Sequence, residues 1–327
     1  MLVLSASDVR RAAPMPAAID AVAGAFAQLS RGQANVPLRV PIGQAGHDSH
    51  TFFMPALLAE SGALGLKVVS VFPHNQARHG LPSIHALVVL IDAATGQPIA
   101  AMDGTYLTAL RTGAASGAAT RALARPDSRV LAMFGAGAQA PCQVQAVCAA
   151  RPIERVLIVN RSRERAERLI ADLRALGLAA ECAVATTARA ALAEADVVCC
   201  ATSAATPLFD DADVRPGTHI NGVGAFTPAL AEVPPATIAR AYVAVDQRAA
   251  AWAEAGDLIQ ARDAGALDAS RVVELGEVIA GAAPGRADDA QITFFKSVGN
   301  AVQDMAVGQL ALAEARRLGL GAEVALG

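Results

Sequence analysis

The sequence predicts an α/β chain: a Rossmann-like, doubly wound parallel sheet over residues 115–300, and a second α+β domain built from both chain ends, 1–114 and 301–327. Three observations lead to that expectation. Strand and helix signals alternate through the middle of the chain, as parallel strands with helical crossovers require. One of the turns between them is spaced by glycines. The N-terminal third reads instead as successive β runs, and the C-terminus as one helix.

Taken in order, "LGLKVVSVF" (64–72), "IHALVVLID" (84–92) and "QPIAAMD" (97–103) are the β runs of the first part, the last two joined by the hairpin signal "AATG". "RVLAMF" (129–134) opens the alternating part as a short apolar strand that "GAGAQ" breaks. Residues 138–150 suit a helix, "RVLIV" (155–159) is the next strand, and "SRERAERLIADLRALG" is an amphipathic helix ending at Gly177. "ADVVCCAT" (195–202), "THINGV" (218–223) and "AYVAVD" (241–246) supply further strands. "AVQDMAVGQLALAEARRLG" (301–319) is a helix pattern closed by Gly319. With the alternating part inserted between them, the two ends are left to pack together.

Composition narrows the function classes. The 327 residues are 54% hydrophobic and 17% charged, with a net charge of −3, enough apolar material for two cores. That balance gives no reason to expect nucleic acid or an anionic membrane as partner. The most apolar runs are far short of the roughly 20 residues that cross a bilayer. "MLVLSASDVRRAAP" lacks the basic-then-apolar order of a signal peptide, so the cytoplasm is the expected location. Five cysteines, Cys199 and Cys200 adjacent in an apolar run, read as buried reduced thiols. His74, His79 and His85 do not follow a zinc spacing, and no metal is expected.

"FGAGAQA" sets Gly135, Gly137 and Ala140 in the pattern G-x-G-x-x-A after a strand and before a helix. The first glycine permits the tight turn, the second lets a pyrophosphate approach the backbone, and the small third residue lets helix and strand pack. A dinucleotide is therefore expected, with its phosphates on the helix N-terminus; the plainer alternative is a glycine turn that binds nothing. The next strand would end in an acid if the ribose 2′-OH of NAD were held there. It ends instead in Asn160, Arg161, Ser162, Arg163 and Arg165. Guanidinium groups where a 2′-phosphate would lie favour NADP(H) over NAD(H), against the reading of a solvated basic helix face.

Three isolated cations stand among apolar or small neighbours: Arg39 in "NVPLRVPI", Lys67 in "LGLKVVSV" and Arg111 in "LTALRTGAAS". Any one alone could have a buried stem and a head paired to an acid. Lys67, on one face of a β run, would have its pKa lowered by burial and become a usable proton donor.

The stretches "LGLKVVSVFPHN", "LPSIHALVVLIDAATGQPIAAMDGTYLTALRTGAAS", "FGAGAQA", "THINGVGAF", "EAGDL" and "VVELGEVIAGAAPGR…ITFFKSVGNAVQDMA" occur in that order. Over nearly its full length the sequence resembles the ornithine cyclodeaminase/μ-crystallin family. The resemblance implies a Rossmann domain plus a substrate and dimerisation domain, and a homodimer. It implies that Arg39, Lys67 and Arg111 surround a substrate carboxylate at the nicotinamide. It maps the phosphate loop onto Gly137, Ala138 and Gln139, and an NADPH-type Asn-Arg pair onto Asn160 and Arg161. Arg111, Thr112, Thr202, Val223 and Ser297 complete the implied cofactor contacts. Family members act on small α-amino or α-imino acids and move a hydride at the α-carbon.

In the family's cyclodeaminases and alanine dehydrogenases, the loop after the strand matching "THINGV" carries an aspartate that engages the substrate amine. Here that position is Phe226, and the other position used is Ala229. Between His219 and Glu232 nothing titrates near neutrality. Oxidising an amino acid calls for a base near the α-nitrogen; reducing a preformed C=N bond needs a carboxylate clamp, a hydride and one acid. Lys67 could be that acid, with Phe226 an apolar wall of the substrate site. The expected function is thus an NADPH-dependent reductase of a small cyclic or substituted imino acid. The alternatives are a cyclodeaminase or amino-acid dehydrogenase, and a non-catalytic NADPH-dependent binding protein. Asp304, Asp103 and Asp257 are candidates to replace the missing acid; Asp257 and Glu254 are expected rather to cap or brace a helix.

Overall fold

Two bodies of secondary structure form along the chain: Met1–Arg111 together with Asn300–Gly327, and Thr112–Gly299. The computed structural model describes residues 1–43 and 49–325. In the first unit the strands are β1 (Leu2–Leu4), β2 (Ala34–Asn35), β3 (Val40–Gly43), β4 (His50–Leu58), β5 (Ala63–Val71), β6 (Ile84–Asp92) and β7 (Pro98–Asp103). They lie in the order β1-β7-β6-β5-β4-β2, with β3 also on β4 and a short Ala322–Glu323 strand on the free side of β1. Strands β4 to β7 pair antiparallel in sequence, whereas β1 runs parallel to β7.

One face of this sheet is covered and the other is half open. Along β5 the side chains alternate, so that Ala63, Gly65, Lys67 and Val69 are buried while Leu64, Leu66 and Val68 are half-buried. The buried face meets the Ala301–Leu318 helix, which packs on β4, β5 and β6 and against the Met15–Ser30 helix. Ala301–Leu318 starts at Asn300, whose side chain accepts from Val302 N in a capping box with Gln303, and ends at Gly319 with φ 62°. Met15–Ser30 buries Ala18, Ile19, Val22, Ala23 and Phe26 at helical spacing. From sequence, only β runs are expected in this part. The structure adds the Ala6–Ala12 and Met15–Ser30 helices, whose alanine-rich turns offer little polar contrast to reveal the period.

The second unit holds β8 (Val130–Phe134), β9 (Arg155–Val159), β10 (Glu181–Val184), β11 (Val197–Cys200), β12 (His219–Gly222), β13 (Tyr242–Val245), β14 (Val273–Glu274) and β15 (Thr293–Lys296). All pair in parallel, in the order β10-β9-β8-β11-β12-β15-β13-β14. The order reverses between β8 and β11, which makes their carboxyl ends the switch point where doubly wound sheets bind ligands. Apolar clusters fill both faces, with Cys200 in one and Cys199 in the other. Among the described residues, no helix is long and apolar enough to cross a membrane.

Gly65 on β5 leaves no room for a side chain. A Cβ there would lie 2.1 Å from Val89 O and 2.9 Å from Met305 Sδ. Gly65→Ala is expected to destabilise the protein by about 1–3 kcal/mol through overpacking, measured by urea unfolding.

Candidate active site

The alternation of β5 turns Lys67 inward, onto the first turn of the Ala301–Leu318 helix. There its Nζ lies 2.9 Å from both carboxylate oxygens of Asp304. Both residues are 0% exposed. Arg111 reaches the same carboxylate, its Nε donating to Asp304 Oδ1 at 3.1 Å, and its Nη1 donates to Gln303 Oε1. Asp304 thus lies in the first helical turn, where the dipole favours an anion, and bridges two cations. Burial pushes the Lys67 ammonium down from 10.5 to about 7; the Arg111 charge adds to this, and Asp304 opposes it by charge and hydrogen bond.

Arg39 is half-buried, its guanidinium 4.9 Å from the centre of the Phe52 ring, and its charge also depresses Lys67. The three cations singled out in the sequence therefore meet in the first unit. Of the candidate acids, Asp304 belongs to this cluster. Asp103 does not: its Oδ1 accepts from Tyr106 N at the start of the Gly104–Leu123 helix. That helix carries Arg111 and Thr112 on consecutive residues, both buried.

In the second unit, Gly135 has φ 101°, and a Cβ on it would lie 2.6 Å from Ala201 O. Only glycine fits there. Gly137 and Ala138 are exposed and Gln139 is half-buried, with no atom within 4 Å of the place a Gly137 Cβ would take. The Ala140–Ala150 helix follows at once. This open backbone on a helix N-terminus fits a pyrophosphate. After β9, Asn160 Nδ2 donates to Ser162 O and Ser162 Oγ accepts from Arg165 N. Arg163 pairs with Glu167, while Arg161 and Arg165 are exposed and make no ion pair among the described residues.

Other expected contacts are already engaged within the unit. Thr202 N and Oγ1 donate to Glu232, Ser297 Oγ donates to Asp246, and Val223 N donates to Cys200 O. Phe226 is half-buried against the core of its own unit. His219 is buried between Thr293 Oγ1 and Asn221 Oδ1, and burial pushes it down to about 3, so it stays neutral. Asp257 braces the Glu232–Val233 backbone and pairs with Lys296, rather than capping its own helix by a side-chain hydrogen bond. Glu232 and Lys296 have no expected role from sequence. One signal was available: of 27 lysines and arginines only Lys67 and Lys296 are lysines. Both are fully buried and each is paired with an aspartate.

The ornithine cyclodeaminase/mu-crystallin family model matches residues 1–316. A Δ1-pyrroline-2-carboxylate reductase of Bacillus cereus is 38% identical over 327 residues, 99% of each chain. The structure of the Thermococcus litoralis Δ1-pyrroline-2-carboxylate reductase in complex with NADH and L-proline superposes with a TM-score of 0.94 at 39% identity, over 99% of this chain and 100% of that one. The iminosuccinate reductase of Paracoccus denitrificans in complex with NAD+ gives 0.91 at 34% identity, over 100% and 99%.

The buried charges make a stability prediction with a defined sign. Lys67 is held at about 7 in the fold against 10.5 when free, so between those values the unfolded chain binds the extra proton and stability rises with pH. Asp304→Asn removes the counter-charge from two buried cations. It is expected to cost about 3 kcal/mol near pH 6, and less near pH 9, where Lys67 is already neutral in the fold. Urea unfolding at the two pH values measures the difference.

Proposed function

The chain belongs to the ornithine cyclodeaminase/μ-crystallin family, and on that premise we propose that it reduces the C=N bond of a small α-imino acid, of the Δ1-pyrroline-2-carboxylate or ketimine kind. The observation behind this reading is the buried Lys67 ammonium, poised near neutrality beside two guanidinium groups. A bound nicotinamide dinucleotide supplies the hydride that adds to the imine carbon. Arg39 and Arg111 take the substrate carboxylate. A guanidinium carries five donors, and Asp304 and Gln303 occupy two of those on Arg111. Lys67 Nζ gives its proton to the nitrogen, so that C=N becomes CH–NH, and Asp304 keeps the ammonium charged until transfer.

The loop after β12 supports reduction over cyclodeamination. From Gly224 to Ala231 it contains no acid, and the carboxylate of Glu232 is turned onto backbone N–H groups. Phe226, in that loop, is half-buried against the core of its own unit. NADP(H) is the preferred dinucleotide, because the exposed Arg161 and Arg165 stand where an acid would select NAD(H). A homodimer is supported by apolar side chains left open on the first unit, among them Leu38, Val40, Ile42 and Leu87. The cytoplasm, with its reduced thiols and reduced nicotinamide, suits the chemistry.

Two measurements test the reading. With Δ1-pyrroline-2-carboxylate, kcat/KM is expected to fall as pH rises through about 7, because the acid must be protonated. Lys67→Arg abolishes that limb and lowers kcat by about 10²–10⁴-fold, and Asp304→Asn moves it to lower pH. Ammonia release from ornithine without imine turnover would assign the chain to cyclodeamination instead. In a second assay, Arg161→Ala with Arg165→Ala is expected to raise KM for NADPH about tenfold and leave NADH unaffected. A wild-type protein that prefers NADH would reverse the cofactor assignment.

A further inference from the structure

The carboxylate of Glu232 is 0% exposed and receives four donors from two different loops. Thr202, in the loop after β11, donates from N at 2.6 Å and from Oγ1 at 2.8 Å, both to Oε1. Gly224 and Ala225, in the loop after β12, donate from N at 2.7 and 3.2 Å, both to Oε2. With four donors on its two oxygens, the group fits its ionised form; burial pushes its pKa up and the Asp257 carboxylate adds to this, while Lys296 and the Thr202 hydrogen bonds pull it back. The residue is itself held. Asp257 Oδ1 accepts from Glu232 N at 2.6 Å and Val233 N at 3.0 Å, and Asp257 Oδ2 is 2.8 Å from Lys296 Nζ at the end of β15. The two loops close so tightly that a Cβ on Gly224 would lie 2.1 Å from Thr202 O and 2.5 Å from Glu232 Oε1.

Both loops leave the carboxyl ends of central parallel strands, beside the switch point at β8 and β11. The phosphate loop follows β8 and, among the described residues, makes no hydrogen bond to Glu232, although the place of a Gly135 Cβ lies 2.6 Å from Ala201 O and 3.1 Å from Thr202 Cγ2. We infer that Glu232 is a positioning residue: by gathering the loops after β11 and β12 on one carboxylate, it builds the seat of the nicotinamide half of the dinucleotide. The inference rests on the proposed nicotinamide-dependent function. The Asp257–Lys296 pair holds the Glu232 backbone in place, and the adenosine and phosphate half is expected to rest on the phosphate loop, which gives Glu232 no hydrogen bond among the described residues.

Ligands with and without nicotinamide separate this role from general support of the fold. In Glu232→Gln the amide keeps the size but replaces one acceptor oxygen with a donor, so one loop loses its anchor. Binding of NADPH and NADH is expected to weaken about tenfold. Binding of 2′-phospho-ADP-ribose and ADP-ribose is expected to stay within about twofold of wild type, because the phosphate loop is intact. In turnover, kcat falls and KM for the imino acid is unchanged. Equal weakening of both ligand classes, or no weakening of either, overturns the inference. If Glu232→Gln does not fold, Gly224→Ala wedges the same two loops apart with Glu232 in place, and the same two results decide. A wild-type protein that binds no dinucleotide contradicts the proposed function itself, and is thereby told apart from a failure of Glu232 alone.

Discussion

Asp304 sets one carboxylate between two buried cations, and the first unit is arranged around that contact. Lys67 comes from the N-terminal part of the chain and Asp304 from the C-terminal helix, so the ion pair ties the two ends across 237 positions. Desolvating these groups is expensive, and the geometry offsets it with two contacts from Lys67 and one from Arg111. Arg39 adds its charge to the same cluster and lowers the Lys67 pKa with Arg111. On the proposed function, a substrate carboxylate bound beside these cations would in turn favour the charged form of Lys67.

The second unit uses the opposite sign to build its own site. Glu232, Asp257 and Asp246 are buried at the carboxyl edge of the parallel sheet, each accepting backbone N–H groups from the loops there. Loops that would otherwise have orphaned donors are folded around anions, which makes them rigid without long apolar side chains. Each unit buries one lysine paired with an aspartate. Arginine fills every other Lys/Arg position, and the two lysines stand fully buried, Lys67 on Asp304 and Lys296 on Asp257.

Much of this was legible in the sequence because its signals are local. The strands Arg155–Val159 and Ile84–Asp92 match their apolar runs, and Gly135 sits at the positive φ that its turn requires. The isolated Arg39, Lys67 and Arg111 stood out against small neighbours, and the alternation of "LGLKVVSV" suffices to turn Lys67 inward. What was not legible depends on closure. The four donors on Glu232 come from residues 202 to 225, and nothing in the local pattern says that these loops meet. Asp304 could be named as one candidate acid among several, but only the packing of its helix onto β5 distinguishes it from Asp103. The alanine-rich Met15–Ser30 helix lacked the polar contrast that would have marked its period.

Everything proposed for the reaction turns on Lys67 being held near neutrality, ready to give a proton to an imine nitrogen. With only two lysines in the chain, protein labelled with carbon-13 at lysine Cε has two side-chain signals, and Lys67→Arg identifies one of them. The Lys67 signal is expected to titrate with a midpoint near 7 in the free protein, and at higher pH once proline, a carboxylate-bearing product analogue, is added. A Lys67 signal that stays in its fully protonated position up to about pH 9 would remove the lysine from the role of proton donor tuned to neutrality.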